Sequence, residues 1–302
     1  SFIFMNLGKI KTKNANITCL HFYFSIDQNI VLEYNTSIMM LSGSFSIFGL
    51  TINLYGLIIA IGMLIAVFVV TKICHHRGFK SEDIFLVALY AIPLAIIGAR
   101  LYYVTFSDNS FTFWQVFEIW KGGMAIYGGV IGGAAGVVLY CVIHKKNFLK
   151  IADIAAVGLI LGQGIGRIGC YFANCCYGIE VTNDALQWFP LSTQINGVWH
   201  YSTFFYESFC DLIIFGVLLF LITKKIRTPG IIMSLYFAFY GFVRCIIEQF
   251  RGDSLYLLGM KVSQMLSLFL LIAGIILIVI IYTRKGKKKK ETIESNQSNK
   301  NS

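Results

Sequence analysis

Charge is scarce in this chain. Of 302 residues only 13% are Asp, Glu, Lys or Arg, about half the roughly 25% of an ordinary soluble domain. Hydrophobic residues make up 57%, and mean hydropathy is +0.70. The long apolar runs also lack the polar faces and amphipathic periodicity that a water-soluble helical core requires, so a soluble all-α domain is excluded. Residues 1–38 lack the basic start, apolar stretch and small-residue cleavage site of a signal peptide. That segment is expected to be an over-extended start or an exposed tail without a catalytic part. What is present is seven runs of about 20 apolar residues, the length of a spanning helix. They lie at approximately 48–70, 83–104, 123–143, 151–170, 204–223, 230–250 and 261–282. The predicted fold class is therefore all-α, a polytopic membrane protein with seven transmembrane helices.

Basic residues alternate between loops. Lys72, Arg77 and Lys80 follow the first run, Lys145, Lys146 and Lys150 the third, and Lys224, Lys225 and Arg227 the fifth. Arg284, Lys285 and the run Lys287 to Lys290 follow the last. Of the intervening loops, one holds Lys121 alone and another, over 171–203, holds no Lys or Arg at all. Because cytoplasmic loops are enriched in Lys and Arg, the N-terminus is expected outside and the C-terminus in the cytoplasm. The net charge of +10 then reads as a topology signal and an attraction to anionic membrane lipid; it gives no reason to invoke nucleic acid. Residues 284–302, rich in Lys, Ser and Asn, are expected to be a disordered basic tail. The expected organisation is a tail over 1–44, a catalytic transmembrane domain over 45–283 and a cytoplasmic tail over 284–302.

With that orientation, the second, fourth and sixth helices each carry an arginine near the outer end: Arg100, Arg167 and Arg244. The outer ends of the others carry Tyr55, Tyr127, Tyr206 with Glu207, and Gln264. An ionisable group inside a bilayer is expensive, about 2.5–3.5 kcal/mol at a helix centre on insertion scales, and marks function by default. Snorkelling to the interface accounts for single arginines. It accounts less well for three on the side where positive charge is disfavoured, so a shared cavity is the favoured reading. Guanidinium groups are forked donors matched to phosphate oxygens, which suits an anionic phospholipid headgroup. Glu248, four residues after Arg244, shares its helix face. It holds that arginine, acts as a base, or simply neutralises it. Gly128, Gly132 and Gly136, with Gly129 and Gly133 beside them, and then Gly158, Gly162 and Gly166 form small-xxx-small rows. They suggest that the third and fourth helices form a tight centre.

Seven stretches, in order, complete the reading: LYGLIIAIG (54–62), GARLYYVTF (98–106), WKGGMAIYGGVIGG (120–133), GRIGCYFANCCYG (166–178), FYES (205–208), YGFVRCIIEQFRGD (240–253) and SQMLS (263–267). Across residues 45–283 the chain resembles the bacterial phosphatidylglycerol–prolipoprotein diacylglyceryl transferase family. The resemblance implies a multi-pass protein of the bacterial cell membrane with its active site toward the outer leaflet. Its substrates would be phosphatidylglycerol and prolipoprotein signal peptides carrying a lipobox cysteine. The diacylglyceryl group would pass to that cysteine as a thioether, with release of glycerol phosphate and without a cofactor or metal. The resemblance also implies that Tyr55, Arg167, Arg244 and Glu248 are catalytic, and that Arg100, Tyr127, Gly128, Gly129, Gly178, Glu207 and Gln264 bind substrate.

Three positions depart from the family pattern: Tyr127 stands for a histidine, Cys170 for an asparagine and Cys175 for a glutamate. Tyrosine, with a pKa near 10, is a poor base but a good donor, so the identity of any general base is open. Cys170, Cys175 and Cys176 either pack as small apolar side chains, pair as a disulfide that pins the loop, or act as nucleophiles. A thiol–disulfide exchange protein and a non-catalytic lipid-binding or transport protein are the alternatives from other classes. Against the first, the cysteines are not spaced C-x-x-C; against the second, no inverted repeat is visible. His200 is the one nearby imidazole, and the ligand spacing does not indicate zinc.

Overall fold

The computed structural model of the protein describes residues 44–47, 50–107, 112–117, 123–252, 256–257 and 260–298. The expected N-terminal tail, apart from Ser44, lies outside the described residues. Seven helices are long and apolar enough to cross a membrane: α1 (Leu54–Ile73), α2 (Ser81–Phe106), α3 (Ile126–Ile143), α4 (Phe148–Phe172), α5 (Thr203–Phe220), α6 (Ile231–Ile247) and α7 (Val262–Ser298). The fold is a polytopic helical membrane protein. Many large apolar side chains point away from the bundle, among them Leu64, Phe68, Leu89 and Phe269, each more than 60% exposed. That is a liability in water and the expected surface in lipid.

Three local differences from the sequence reading have physical causes. The first helix, expected from residue 48, begins at Leu54, because Ser44–Ile47 (β1) and Leu50–Asn53 (β2) form an antiparallel hairpin. An apolar run containing Ile47, Thr51 and Ile52 suits a strand as well as a helix. The third helix starts three residues late, at Ile126, since Gly123 adopts φ 71°, which no right-handed helix accommodates. The last helix does not stop at residue 283. It continues to Ser298 through the segment expected to be disordered, whose Lys and Glu residues are good helix formers.

The glycine rows pack differently from expectation. A Cβ on Gly128 would lie 2.2 Å from the carbonyl oxygen of Gly98, and one on Gly132 would lie 2.1 Å from that of Leu94. The row on α3 therefore lets its backbone touch α2. The row on α4 faces α1: Gly158 meets Val70, Gly162 meets Ala66 and Gly166 meets Ile59. The expected tight centre between the third and fourth helices is thus replaced by two close pairs, α2 with α3 and α1 with α4. Of all seven spans, α4 is still the most enclosed, with 56% of its most apolar stretch buried against 11% for that of α7.

The main apolar core lies toward the end of the bundle opposite the arginines, around Tyr140, Ile151, Ile154, Val157, Ile160, Leu218 and Ile232. Buried polar groups fasten it there. Asp153 of α4 pairs with Arg77 at 3.0 Å. It also accepts the backbone N–H groups of Gly230 (2.9 Å) and Met233 (3.0 Å) at the start of α6, groups that no helix satisfies internally. Asp83 accepts the Tyr140 hydroxyl at 2.8 Å and pairs with Lys146 at 3.0 Å. These contacts fix one end of the helices and so set the spacing at the other.

Candidate active site

At that other end, α4 finishes, α5 begins, α6 finishes and α7 begins. Glu207, in the first turns of α5, is the hub. Its Oε1 lies 2.7 Å from Nη2 of Arg167, and its Oε2 accepts a very short contact from Nη1 of Arg244. The other guanidinium nitrogen of Arg244 reaches Glu248 Oε2 at 3.5 Å, and Nε of Arg251 stands 4.0 Å from the same oxygen. Ser263 of α7 donates its hydroxyl to Glu248 Oε1. Lys261 donates to the carbonyl oxygens of Glu248 (2.7 Å) and Arg251 (2.9 Å), groups left over where the helix ends. Both carboxylates are almost fully enclosed, with side-chain exposures of 3% for Glu207 and 0% for Glu248. Arg167 retains 22% and Arg244 11%. Cations thus stand at the accessible rim of a site whose anions are sealed beneath them.

The signature loop is built by local backbone geometry. After α4 ends at Phe172, Asn174 takes φ 47° and Cys176 φ 60°, left-handed conformations in which asparagine is at home. The Cys175 N–H returns to the Cys170 carbonyl at 3.1 Å, and Thr203 donates to the Cys176 carbonyl at 2.7 Å. The three sulfur atoms of Cys170, Cys175 and Cys176 consequently all lie within 4.8 Å of one another. None of the three is in a disulfide. Nη1 of Arg167 points at Sγ of Cys176, 3.8 Å away. Gly178 closes the loop: its N–H donates to Tyr201 O at 2.8 Å, and a Cβ there would stand 2.7 Å from Phe250 O. Tyr201 ends a hairpin of Ser192–Ile195 (β3) and Val198–Tyr201 (β4), turned by Asn196–Gly197 with positive φ at both, the pattern of a two-residue hairpin turn.

The residues singled out from sequence divide into two groups. Arg167, Glu207, Arg244 and Glu248 come together in one ion-pair network. Tyr55 opens α1 beside them; its ring packs against Gly169, where a Cβ would lie 3.0 Å from Cδ2 of the ring. The others stand outside that network. Arg100 donates to the carbonyls of Val116 (3.0 Å) and Gly123 (2.9 Å), so its recorded bonds hold the α2–α3 connection. Tyr127 is half exposed and packs near Tyr102 (6.2 Å between centroids). Gly128 and Gly129 lie on the α2 contact. Gln264 opens α7 next to Ser263, the serine that donates to Glu248.

Asp211 is the residue that the sequence reading passed over. It follows Glu207 by one turn on α5, is 0% exposed, and its carboxyl oxygens have no hydrogen-bond partner among the described residues. Its Cβ packs 3.3 Å from the position of a Cβ on Gly164. A second acid inside a spanning run was the available signal. A pairing of Glu207 with two arginines from other helices left no such signal, because spacing along a chain does not report contacts across it.

Comparison with known proteins identifies the family. Residues 42–280 match the family model for prolipoprotein diacylglyceryl transferase. Phosphatidylglycerol–prolipoprotein diacylglyceryl transferase 1 of Clostridium perfringens is 40% identical over 257 residues, covering 83% of this chain and 97% of its own length. The transferase of Finegoldia magna is 37% identical over 258 residues (84% and 98%), and that of Streptococcus equi subsp. equi 38% over 251 residues (80% and 96%). The match covers α1 to α6 in full, α7 as far as residue 280 and every residue of the ion-pair network, and the chain belongs to the prolipoprotein diacylglyceryl transferase family.

Proposed function

We propose that this protein transfers the diacylglyceryl group of phosphatidylglycerol to the lipobox cysteine of prolipoproteins, at the outer leaflet of the bacterial cell membrane. The observation that carries the reading is the bridge from Glu207 to both Arg167 and Arg244, which presents two guanidinium groups side by side. In the reaction, the precursor's sulfur forms a bond to the terminal glycerol carbon of the diacylglyceryl unit as the bond from that carbon to phosphate oxygen breaks. The phosphate leaves with the electron pair as glycerol phosphate, and the thiol proton balances on that product. Charge grows on the departing oxygen, and fixed cations in a water-poor site stabilise it. Arg167 and Arg244 supply those cations; Glu207 holds both in register, and Glu248 steadies Arg244 from behind. The half-exposed Tyr55 stands at the mouth, where its hydroxyl meets the lipid headgroup.

The enrichment of Lys and Arg in the loops at the opposite end of the bundle supports an outward orientation for this end, the side on which exported precursors arrive. The test is direct. Purified protein in nanodiscs is given phosphatidylglycerol and a lipobox peptide, and the peptide mass is measured. A gain of one diacylglyceryl unit is expected; an unchanged mass beside a working relative contradicts the reading.

A further inference from the structure

The geometry points to a binding site for a thiophilic divalent cation of the zinc class on Cys170, Cys175 and Cys176, beside Arg167. Sequence spacing alone does not indicate zinc, but the fold of the loop overrides spacing. Two left-handed residues, Asn174 and Cys176, with the return of the Cys175 N–H to Cys170 O, turn all three thiols toward one point. Their sulfurs lie within 4.8 Å of one another. Zinc–sulfur bonds of about 2.3 Å at tetrahedral angles bring sulfurs to about 3.8 Å apart, so a contraction of about 1 Å completes the site. Three protein ligands leave a fourth position for water.

Binding releases the three thiol protons to solvent, because thiolates are the ligands. Three thiolates around a divalent ion carry one net negative charge. That charge forms where Arg167 Nη1 already faces Cys176 Sγ at 3.8 Å. The guanidinium is then drawn to the metal–thiolate unit and partly withdrawn from an incoming phosphate. Occupation of the site therefore lowers transfer activity. This consequence rests on the transferase reading; the metal site itself does not.

The experiment uses the full chain in nanodiscs, reduced with a phosphine and titrated with Co²⁺ as a spectroscopic probe. The expected result is one Co²⁺ per chain with a sulfur-to-cobalt charge-transfer band and a tetrahedral visible spectrum, displaced by Zn²⁺. Both features weaken in Cys175→Ser and vanish in the Cys170→Ser/Cys175→Ser/Cys176→Ser variant. No charge-transfer band in the wild type, or an unchanged band in the triple variant, overturns the site whatever the enzyme activity. Couplings between sites are typically about 5–150-fold. Zn²⁺ is thus expected to slow diacylglyceryl transfer by the wild type at least fivefold and to leave the triple variant's own rate unaltered. Metal bound with no change in wild-type rate overturns the coupling to Arg167.

Discussion

The guanidinium of Arg167 sits 2.7 Å from Oε1 of Glu207, and the carboxylate that receives it is shared with Arg244. One acid on α5 therefore fixes two cations from α4 and α6. If those cations face the leaving phosphate, Arg167→Ala and Arg244→Ala each lower turnover a hundredfold or more, since a charged transition-state contact is worth about 3–4 kcal/mol. Both variants should still insert, with reduced stability, because each leaves a buried carboxylate short of a cation. Arg→Lys at either position rescues poorly, because a point charge does not replace a two-pronged donor. Turnover measured in nanodiscs at matched protein levels checks this; near-normal activity of Arg244→Ala makes that residue an interfacial anchor.

The two buried acids of α5 should behave oppositely. Removing one partner of a buried ion pair costs about 3–5 kcal/mol, so Glu207→Gln is expected to lose both stability and activity. Asp211 has no hydrogen-bond partner among the described residues, and Asp211→Asn removes a carboxyl that nothing nearby requires. Its thermal midpoint should equal or exceed that of the parent. A midpoint for Asp211→Asn as low as that of Glu207→Gln refutes the distinction.

This contrast shows how far the sequence reaches. The seven helices were legible because a spanning helix announces itself by length and apolarity, and the arginines because charge is costly in such a run. Which glycine row met which helix was not legible: rows on α3 and α4 are alike in sequence, and only packing assigns one to α2 and the other to α1. The hub role of Glu207 was hidden for the same reason. Its partners lie on other helices, and the visible pair, Arg244 with Glu248 at i and i+4, is the looser contact at 3.5 Å. The thiol cluster depends on left-handed turns at Asn174 and Cys176 that no spacing rule reveals.

The α2–α3 contact makes its own prediction. Gly132→Ala places a methyl 2.1 Å from Leu94 O, a backbone atom that cannot step aside. Overpacking costs about 1–3 kcal/mol, and the two helices must part. Gly216→Ala, with nothing within 4 Å, is the control and should be neutral or slightly stabilising, given the helix propensity of alanine. Thermal unfolding in detergent compares the two; equal midpoints contradict the close approach.

Orientation is checked by impermeant thiol labelling of single cysteines introduced into a background without native cysteine. Positions in 171–203 are expected to react from outside intact cells, and positions in 72–80 only after permeabilisation. The reverse pattern removes the outer-leaflet placement of the site.

The central claim is a displacement at glycerol carbon with phosphate as the leaving group, and one stoichiometry tests it most directly. Phosphatidylglycerol carrying label in its headgroup is incubated with the protein and a lipobox peptide, and released glycerol phosphate is counted against thioether-modified peptide. The account predicts one glycerol phosphate per modified peptide and no release when the peptide cysteine is replaced by serine. Release of glycerol phosphate without the thiol, or modified peptide without glycerol phosphate, contradicts it.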